Sequence, residues 1–162
     1  MCIRDRNYTV KYTYTPDWNR QSQISAKKEY DALKLLYSEK VSVPKPIMQN
    51  RHVVVMSMIE GAELFRNPEL DDANATYNEI LANVKTAYQK VKMIHGDLSS
   101  YNIIVQPNQR ILIIDWPQNI STKHSTAKEL LERDLKNVVI YFQRKHDLKI
   151  KLEDALSYVT EN

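Results

Sequence analysis

The chain has 162 residues, of which 43% are hydrophobic and 27% are charged, and its formal net charge at pH 7 is +3. This length and composition suit one folded domain with one core and exclude a globally disordered chain. The small net charge does not by itself indicate nucleic-acid binding, and no apolar run is long enough for a membrane helix. With one cysteine and two glycines in the whole sequence, we expect neither a disulfide framework nor a glycine-rich phosphate loop.

The first third of the chain predicts two strands and one helix. Residues 1–6 match no pattern, and we expect them to be disordered or an artefact of the gene start. β-Branched and aromatic residues at 8–14 predict a strand, and the helical spacing of apolar residues predicts a helix over 22–39. Two prolines make 43–46 an extended connector. The continuous apolar run at 52–58 predicts a strand that is buried on both faces.

The rest of the chain predicts helices around a small hairpin. A long helix begins at an acidic pair and covers about 71–91, where the two carboxylates favour the positive end of the helix dipole. The apolar runs at 103–105 and 111–114 flank a polar turn and predict a β-hairpin. Helical spacing of apolar residues predicts two further helices, at about 125–145 and 151–160.

The most informative segment is H-G-D-L-S-S-Y-N at residues 95–102, between the long helix and the hairpin. Asn102 opens the first hairpin strand and Asp115 closes the second, so a tight hairpin brings both residues close to Asp97. One carboxylate and one carboxamide suit Mg²⁺, which completes its coordination shell with phosphates and water. Asp97 then remains to orient or deprotonate a hydroxyl group or a water. Each of these residues alone is also typical of a cap, a turn or a strand end; their combination indicates a functional site.

These residues resemble the catalytic core of the protein-kinase-like fold, in which H-G-D-x-x-x-x-N is followed by I-D. The finer similarity is to the RIO kinases, especially their second, archaeal-like subfamily, and it covers about residues 20–160. D-W-P-Q followed by E-R-D-x-x-N is the most specific part. The segments that carry the similarity are S-A-K-K-E-Y at 25–30, V-P-K-P at 43–46, V-M-S-M-I-E-G at 55–61, H-G-D-L-S-S-Y-N at 95–102, I-D-W-P-Q at 114–118 and E-R-D-L-K-N at 132–137.

The resemblance implies an α+β fold of the two-lobed, protein-kinase-like kind. Residues 7–60 would form an incomplete N-lobe and the hinge, and residues 61–162 a small helical C-lobe that carries the catalytic β-hairpin. The family's glycine-rich loop and the winged helix of the second subfamily have no counterpart in this sequence. We therefore expect an N-terminally truncated member.

The resemblance also implies roles for individual residues. Asp97 would be the catalytic aspartate, and Asn102 and Asp115 would hold Mg²⁺. Asp115 also matches the family's phosphate-accepting aspartate, which implies that a transient aspartyl-phosphate can form there. The adenine pocket would include Pro46, Met56, the backbone at Ser57 and Ile59, and the apolar side chains of Ile104 and Ile114.

The resemblance also implies a lysine that anchors the nucleotide phosphates and an acidic residue that pairs with that lysine. Lys11, on the predicted first strand, is the candidate for the phosphate-anchoring lysine, and Glu29 is the candidate for its ion-pair partner. A lysine on a strand is also typical of a solvated surface, and that alternative stays open.

The implied function is that of an ATP-dependent serine/threonine kinase or ATPase with ATP and Mg²⁺ as cofactors. It would act in the cytoplasm on the precursor of the small ribosomal subunit, with its rRNA and ribosomal proteins. Two alternatives remain. A small-molecule phosphotransferase of the aminoglycoside or choline kinase type shares the loop motif and I-D-W, but only about 45 residues follow Asp115 to build an acceptor pocket. The second alternative is a non-catalytic, truncated binding module. The missing glycine-rich loop favours it, whereas the intact Asp97, Asn102 and Asp115 argue against it.

Overall fold

The computed structural model describes residues 17–161 of the chain. Lys11 and the predicted strand at 8–14 lie outside the described residues. The elements in chain order are α1 Trp18–Ser38, β1 Pro46–Asn50, β2 Val53–Met56, β3 Ala62–Glu63, a 3₁₀ turn Leu64–Arg66, α2 Ala73–Thr86, a π-helical turn Ala87–Val91, β4 Met93–Ile94, β5 Ile103–Val105, β6 Ile111–Ile113, β7 Ile120–Ser121, α3 Ala127–His146 and α4 Leu152–Thr160.

Helix α1 packs against a two-stranded antiparallel sheet of β1 and β2. The helix begins earlier than the predicted residue 22, because the Asp17 side chain caps it by accepting a hydrogen bond from the Asn19 N–H at 2.9 Å. The prediction that the strand at 52–58 is buried on both faces is wrong. The strand covers only Val53–Met56, and the side chains of Val53 and Val55 are 48% and 38% exposed. Helix α1 covers one face of this small sheet, and the apolar run alone does not reveal what covers the other.

Helix α2 begins where the acidic pair predicts. Asp72 is its N-cap and accepts hydrogen bonds from the N–H groups of Asn74 and Ala75 at 2.8 and 3.0 Å. The helix continues into the π-helical turn at 87–91, which ends at Lys92 in the left-handed region with φ of 59°. This turn is followed closely by β4, and the polar segment comes directly after that strand.

The predicted hairpin is confirmed and forms the centre of a three-stranded sheet in the order β3-β5-β6. Ile103 pairs with Ile113 and Val105 with Ile111, and these four side chains are buried in the core. The two-residue strands β3 and β7 were not predicted. Strand β3 adds to the hairpin by pairing with β5, and β7 pairs with β4; both pairings join residues far apart in sequence, so no local pattern marks them.

One hydrophobic core joins α1, α2, the hairpin, α3 and α4. Its largest fully buried side chains include Trp116 and Phe142. Helices α3 and α4 begin and end within two residues of the predicted bounds. Within residues 17–161, no helix combines the length and the apolar character that a membrane span requires.

Candidate active site

The loop that carries Asp97 begins with a buried, neutral histidine. The ring of His95 is 4% exposed and lies against Trp116, with ring centroids 4.5 Å apart. Burial lowers the pKa of His95 to about 4, although its hydrogen bond to the Ile114 carbonyl acts in the opposite direction. The neutral ring bonds on both sides: Nε2 donates to the Ile114 carbonyl at 2.9 Å, and Nδ1 accepts from the Asp97 N–H at 3.2 Å. His95 therefore ties the loop to the end of β6.

Asp97, Asn102 and Asp115 are brought together by the hairpin and by one side-chain bond. The Asn102 amide nitrogen donates to the Asp97 carbonyl at 2.7 Å. The Asn102 carbonyl accepts from the N–H of Ile114, the residue before Asp115, at 2.9 Å. Asp97 and Asp115 are both exposed. The sequence-based expectation that these three residues share one location thus agrees with the geometry.

Asp115 has an unusual backbone conformation. Its φ is 64°, in the left-handed region that non-glycine residues seldom occupy. Such conformations cost free energy and concentrate at functional sites, where the surrounding structure imposes them. The next residue, Trp116, is buried and donates from Nε1 to the Ile113 carbonyl at 3.1 Å, which fixes the turn directly after Asp115.

The donor atoms fit Mg²⁺. Because the Asn102 amide nitrogen is bonded to Asp97, its oxygen Oδ1 is the atom that remains to meet a cation. The Asp115 carboxylate supplies a second hard oxygen ligand. Among residues 17–161, no cluster of three or more His, Cys, Asp or Glu side chains is arranged for metal binding. A two-ligand set is what a Mg²⁺ ion takes when phosphates and water supply the rest of its shell.

Glu29 on α1 lies close enough to Asp115 for the two carboxyl groups to interact. Burial raises the pKa of Glu29, and the negative charge of Asp115 raises it further. Glu29 also lines an open cavity between α1 and β2, together with Ser22, Ser25, His52 and Met56. The helix therefore presents an acidic group to the same region as Asp115, where a cation would stabilise both charges.

The predicted hinge is held by its neighbours. Pro46 pairs with Met56 across the β1–β2 sheet. The Ser57 N–H donates to the Lys45 carbonyl at 2.9 Å, and the Ser57 hydroxyl accepts from the Lys45 N–H at 3.0 Å. Gly61, with φ of 130°, then passes so close to β5 that a Cβ atom there would lie 2.1 Å from the Val105 carbonyl oxygen. The position of the segment predicted to be the hinge thus depends on a glycine.

The remaining adenine-pocket candidates are in two places. Ile104 is buried, and strand alternation directs it to the face of β5 opposite Ile103, away from the main core. It pairs with Glu63 of β3, which follows the hinge, so the hinge and Ile104 are neighbours. Ile59, within the hinge, and Ile114, immediately before Asp115, are half-buried.

A buried acid on α3 is a functional candidate that the sequence analysis did not assign. Asp134 is 1% exposed and accepts hydrogen bonds from the N–H groups of Gly96 at 2.7 Å and Leu98 at 3.0 Å. Burial raises the pKa of Asp134 to about 7, and these two donors oppose the rise. The signal was present in the sequence, because Asp134 interrupts the apolar face of α3 between Leu131 and Leu135, and an acid is rarely buried without partners.

The fold and this site define the class of protein. The hinge, the central hairpin and a loop that combines an aspartate with a carboxamide are the parts of a protein-kinase-like fold. The sequence profile of the RIO domain matches residues 3–155. This chain belongs to the RIO domain family, as the motifs indicated.

Several relatives support this placement. The chain is similar to the RIO-type serine/threonine-protein kinase Rio2 of Methanocaldococcus jannaschii, with 35% identity over 153 residues, 89% of this chain and 56% of the relative. It is similar to the serine/threonine-protein kinase rio2 of Schizosaccharomyces pombe, with 33% identity over 145 residues, 90% of this chain and 42% of the relative. The chain therefore spans about half the length of the relatives it matches.

The fold matches that of solved structures. A complex of the Rio2 kinase from Chaetomium thermophilum with ADP and Mg²⁺, described as containing phosphoaspartate, superposes with a TM-score of 0.76 and 28% sequence identity. The match covers 95% of this chain and 51% of that one. A second structure of the same enzyme gives a TM-score of 0.77 at 29% identity. The α+β, protein-kinase-like fold expected from the sequence is thus confirmed.

Proposed function

We propose that this chain is the catalytic core of a RIO-type, ATP-dependent phosphotransferase, a serine/threonine kinase or ATPase. The observation that carries the proposal is the convergence of Asp97, Asn102 and Asp115, joined through the bond from the Asn102 amide to the Asp97 carbonyl. The similarity to kinases named Rio2, one of them in complex with ADP and Mg²⁺, supports the same activity.

In this proposal each residue of the site has a role that its position determines. Asn102 Oδ1 and the Asp115 carboxylate would hold Mg²⁺, and the bound ion would neutralise charge on the nucleotide phosphates. Asp97 stands beside this pair and is not needed as a ligand, so its carboxylate accepts the proton of, or orients, the attacking hydroxyl group or water. His95 keeps the loop in place while remaining neutral at physiological pH.

The nucleotide base is placed at the hinge. Pro46 and Met56 line its β1–β2 side, the backbone at Ser57 and Ile59 supplies the donor and acceptor, and Ile104 and Ile114 supply apolar surface. Glu29 belongs to the phosphate side, and the proposal gives it Lys11 as its partner. The chain divides accordingly into a partial N-lobe and hinge at 7–60 and a C-lobe at 61–162.

Asp115 is also proposed as a phosphoryl acceptor. A carboxylate oxygen of Asp115 attacks the γ-phosphorus of ATP, the bond from that phosphorus to the bridging oxygen breaks, and ADP leaves with the electron pair. Water then hydrolyses the acyl phosphate to regenerate the carboxylate. Helix α3 begins at Ala127, so the segment after Asp115 is short and contains only β7. This favours switching by ATP hydrolysis or autophosphorylation over the docking of many peptide substrates.

The proposed cellular setting rests on the resemblance to the family. We propose that the protein acts in the cytoplasm on precursors of the small ribosomal subunit, and that these particles, with their rRNA and ribosomal proteins, are its physiological partner.

The test is phosphoryl transfer from radiolabelled Mg-ATP in the full-length protein. We expect ADP release and a label on the protein that hydroxylamine removes, and we expect Asp115→Asn to abolish the label. Asp147→Asn is the matched control, because Asp147 is exposed at the end of α3, and it should leave both signals unchanged. Absence of Mg-dependent ADP release from the wild-type protein would overturn the proposal.

A further inference from the structure

The loop around Asp97 is held by three polar residues on one helical turn of α3. The peptide groups of Gly96 and Leu98 flank Asp97, and all four of their polar atoms are bonded to this turn. Asp134 accepts from the Gly96 N–H at 2.7 Å and from the Leu98 N–H at 3.0 Å. Arg133 Nη2 donates to the Gly96 carbonyl, and Asn137 Nδ2 donates to the Leu98 carbonyl at 2.9 Å.

The peptide groups of Asp97 itself are bonded to side chains as well. Its N–H donates to His95 Nδ1 and its carbonyl accepts from Asn102 Nδ2. The backbone from Gly96 to Leu98 is irregular, yet each of its N–H and carbonyl groups has a side-chain partner. Loop peptide groups usually bond to water or to other backbone groups. Here the main chain is fixed, and only the side-chain torsions of Asp97 remain free.

Arg133, Asp134 and Asn137 form a clamp on the loop, and two of these residues are oppositely charged groups that lie close together. Asp134 is nearly fully buried, and a carboxylate in that position is stable only with donors and a nearby positive charge. The two peptide N–H groups are the donors, and the Arg133 guanidinium lies 3.9 Å from Asp134 Oδ1. Arg133 thus donates to the Gly96 carbonyl and also lowers the free-energy cost of burying the Asp134 carboxylate.

We infer that Arg133 and Asn137 are positioning residues for Asp97, an inference that rests on the proposed phosphotransferase function. They act through the carbonyl groups of Gly96 and Leu98 and do not touch substrate. Reacting groups must be placed within a fraction of an ångström, and a displacement of about 1 Å can cost about a hundredfold in rate. Loss of either donor lets one flanking peptide rotate, and the Asp97 carboxylate moves with it.

The positions of these two side chains separate this role from a packing role. Arg133 is 40% exposed in its side chain, and Asn137 is exposed. The apolar contacts of α3 are made instead by its buried face, which includes Leu130, Leu131, Leu135 and Val138. Truncating Arg133 or Asn137 therefore removes little core surface.

The experiment compares Asn137→Ala and Arg133→Met with Lys136→Ala, an exposed control on the same helix. Turnover, Mg-ADP affinity, thermal stability and amide hydrogen exchange at Gly96 and Leu98 are measured in the full-length protein. We expect both variants to lose tenfold or more in kcat, to keep Mg-ADP affinity within about twofold, and to exchange those two amides faster than the control. Arg133→Lys, which retains a charged donor, should recover part of the rate.

Three results would overturn the inference. The first is an unchanged kcat in both variants, and the second is a joint loss of stability and nucleotide affinity that accounts for the lower rate. The third is exchange at Gly96 and Leu98 equal to that of Lys136→Ala. The proposed function fails separately, through the absence of turnover in the wild-type protein. If the wild-type protein does not turn over ATP, the positioning role is overturned together with the proposed function. Faster amide exchange in the variants would then still show that the clamp stabilises the structure of the loop.

Discussion

The carboxyl groups of Glu29 and Asp115 act on each other across the site: the charge of Asp115 raises the pKa of Glu29, in addition to the larger rise caused by burial. Glu29 belongs to α1 and Asp115 follows β6, so the two acids come from elements that are far apart in the sequence. Like charges brought together in this way favour a cation between them or protonation of one acid.

This coupling predicts the titration of Glu29. Asp115→Asn removes one of the two causes of the rise, so the pKa of Glu29 should fall toward its ordinary value. Carboxyl ¹³C NMR titration measures it directly, with Asp97→Asn as the comparison variant that should leave Glu29 unchanged. A pKa of Glu29 that is the same in Asp115→Asn and in the wild type would contradict the placement of the two acids.

The same coupling has a consequence for stability. Because the folded protein holds the pKa of Glu29 above its unfolded value, the folded state binds this proton more readily. The stabilising contribution of protonated Glu29 to the free energy of unfolding is therefore present at low pH, and it is lost as the pH rises through the raised pKa. Asp115→Asn should reduce that loss, which urea titrations at a series of pH values would reveal.

Gly61 predicts a strong backbone effect at the hinge. Gly61→Ala would place a Cβ atom 2.1 Å from the Val105 carbonyl oxygen in a backbone conformation that side chains rarely adopt. We expect a loss of about 3 kcal/mol or more in the free energy of unfolding. Urea denaturation measures this loss, and Glu60→Ala at the exposed neighbouring position should change it little. A small effect of Gly61→Ala would mean that the hinge runs further from β5.

Two substitutions by aspartate, one on β2 and one on β6, test which of these strands is exposed and which is buried. Val55→Asp on β2 should cost about 1 kcal/mol or less, because that side chain is 38% exposed. Ile113→Asp on β6, where the side chain is 1% exposed, should cost about 4 kcal/mol or more and prevent stable folding. Similar losses in both variants, measured by denaturation or by soluble yield, would show that β2 is buried on both faces after all.

The elements that the sequence predicted correctly are those with a local signal. The hairpin at 103–114 has two apolar strands and a polar turn, and α2 has the cap at Asp72. The expectation for β2 is wrong because an apolar sequence is compatible with burial on both faces but does not determine which elements pack on each face. Val53 and Val55 are apolar like Ile111 and Ile113, yet they are 48% and 38% exposed, whereas Ile111 and Ile113 are each 1% exposed. Strands β3 and β7 have two residues each, and tertiary pairing alone creates them.

The same division applies to the candidate site. The convergence of Asp97, Asn102 and Asp115 could be predicted, because a hairpin of known length fixes which residues end up side by side. The role of Asp134 was missed, although its motif was recognised as a mark of the family. Its partners are Gly96 and Leu98, more than thirty residues earlier, and the pairing becomes visible only when α3 packs behind the loop.

The central claim is that Asp115 holds the metal of a Mg-nucleotide site and that Asp97 acts on the attacking group. The most direct measurement is Mg-dependent ATP binding and turnover for Asp97→Asn and Asp115→Asn beside the wild-type full-length protein. We predict that Asp115→Asn weakens Mg-nucleotide binding. Asp97→Asn should bind the nucleotide almost normally and lose about a hundredfold or more in turnover. Both amides keep the size of the carboxylate, so both variants should fold. Wild-type turnover by Asp97→Asn would contradict the account, because Asp97 would then be only a loop residue.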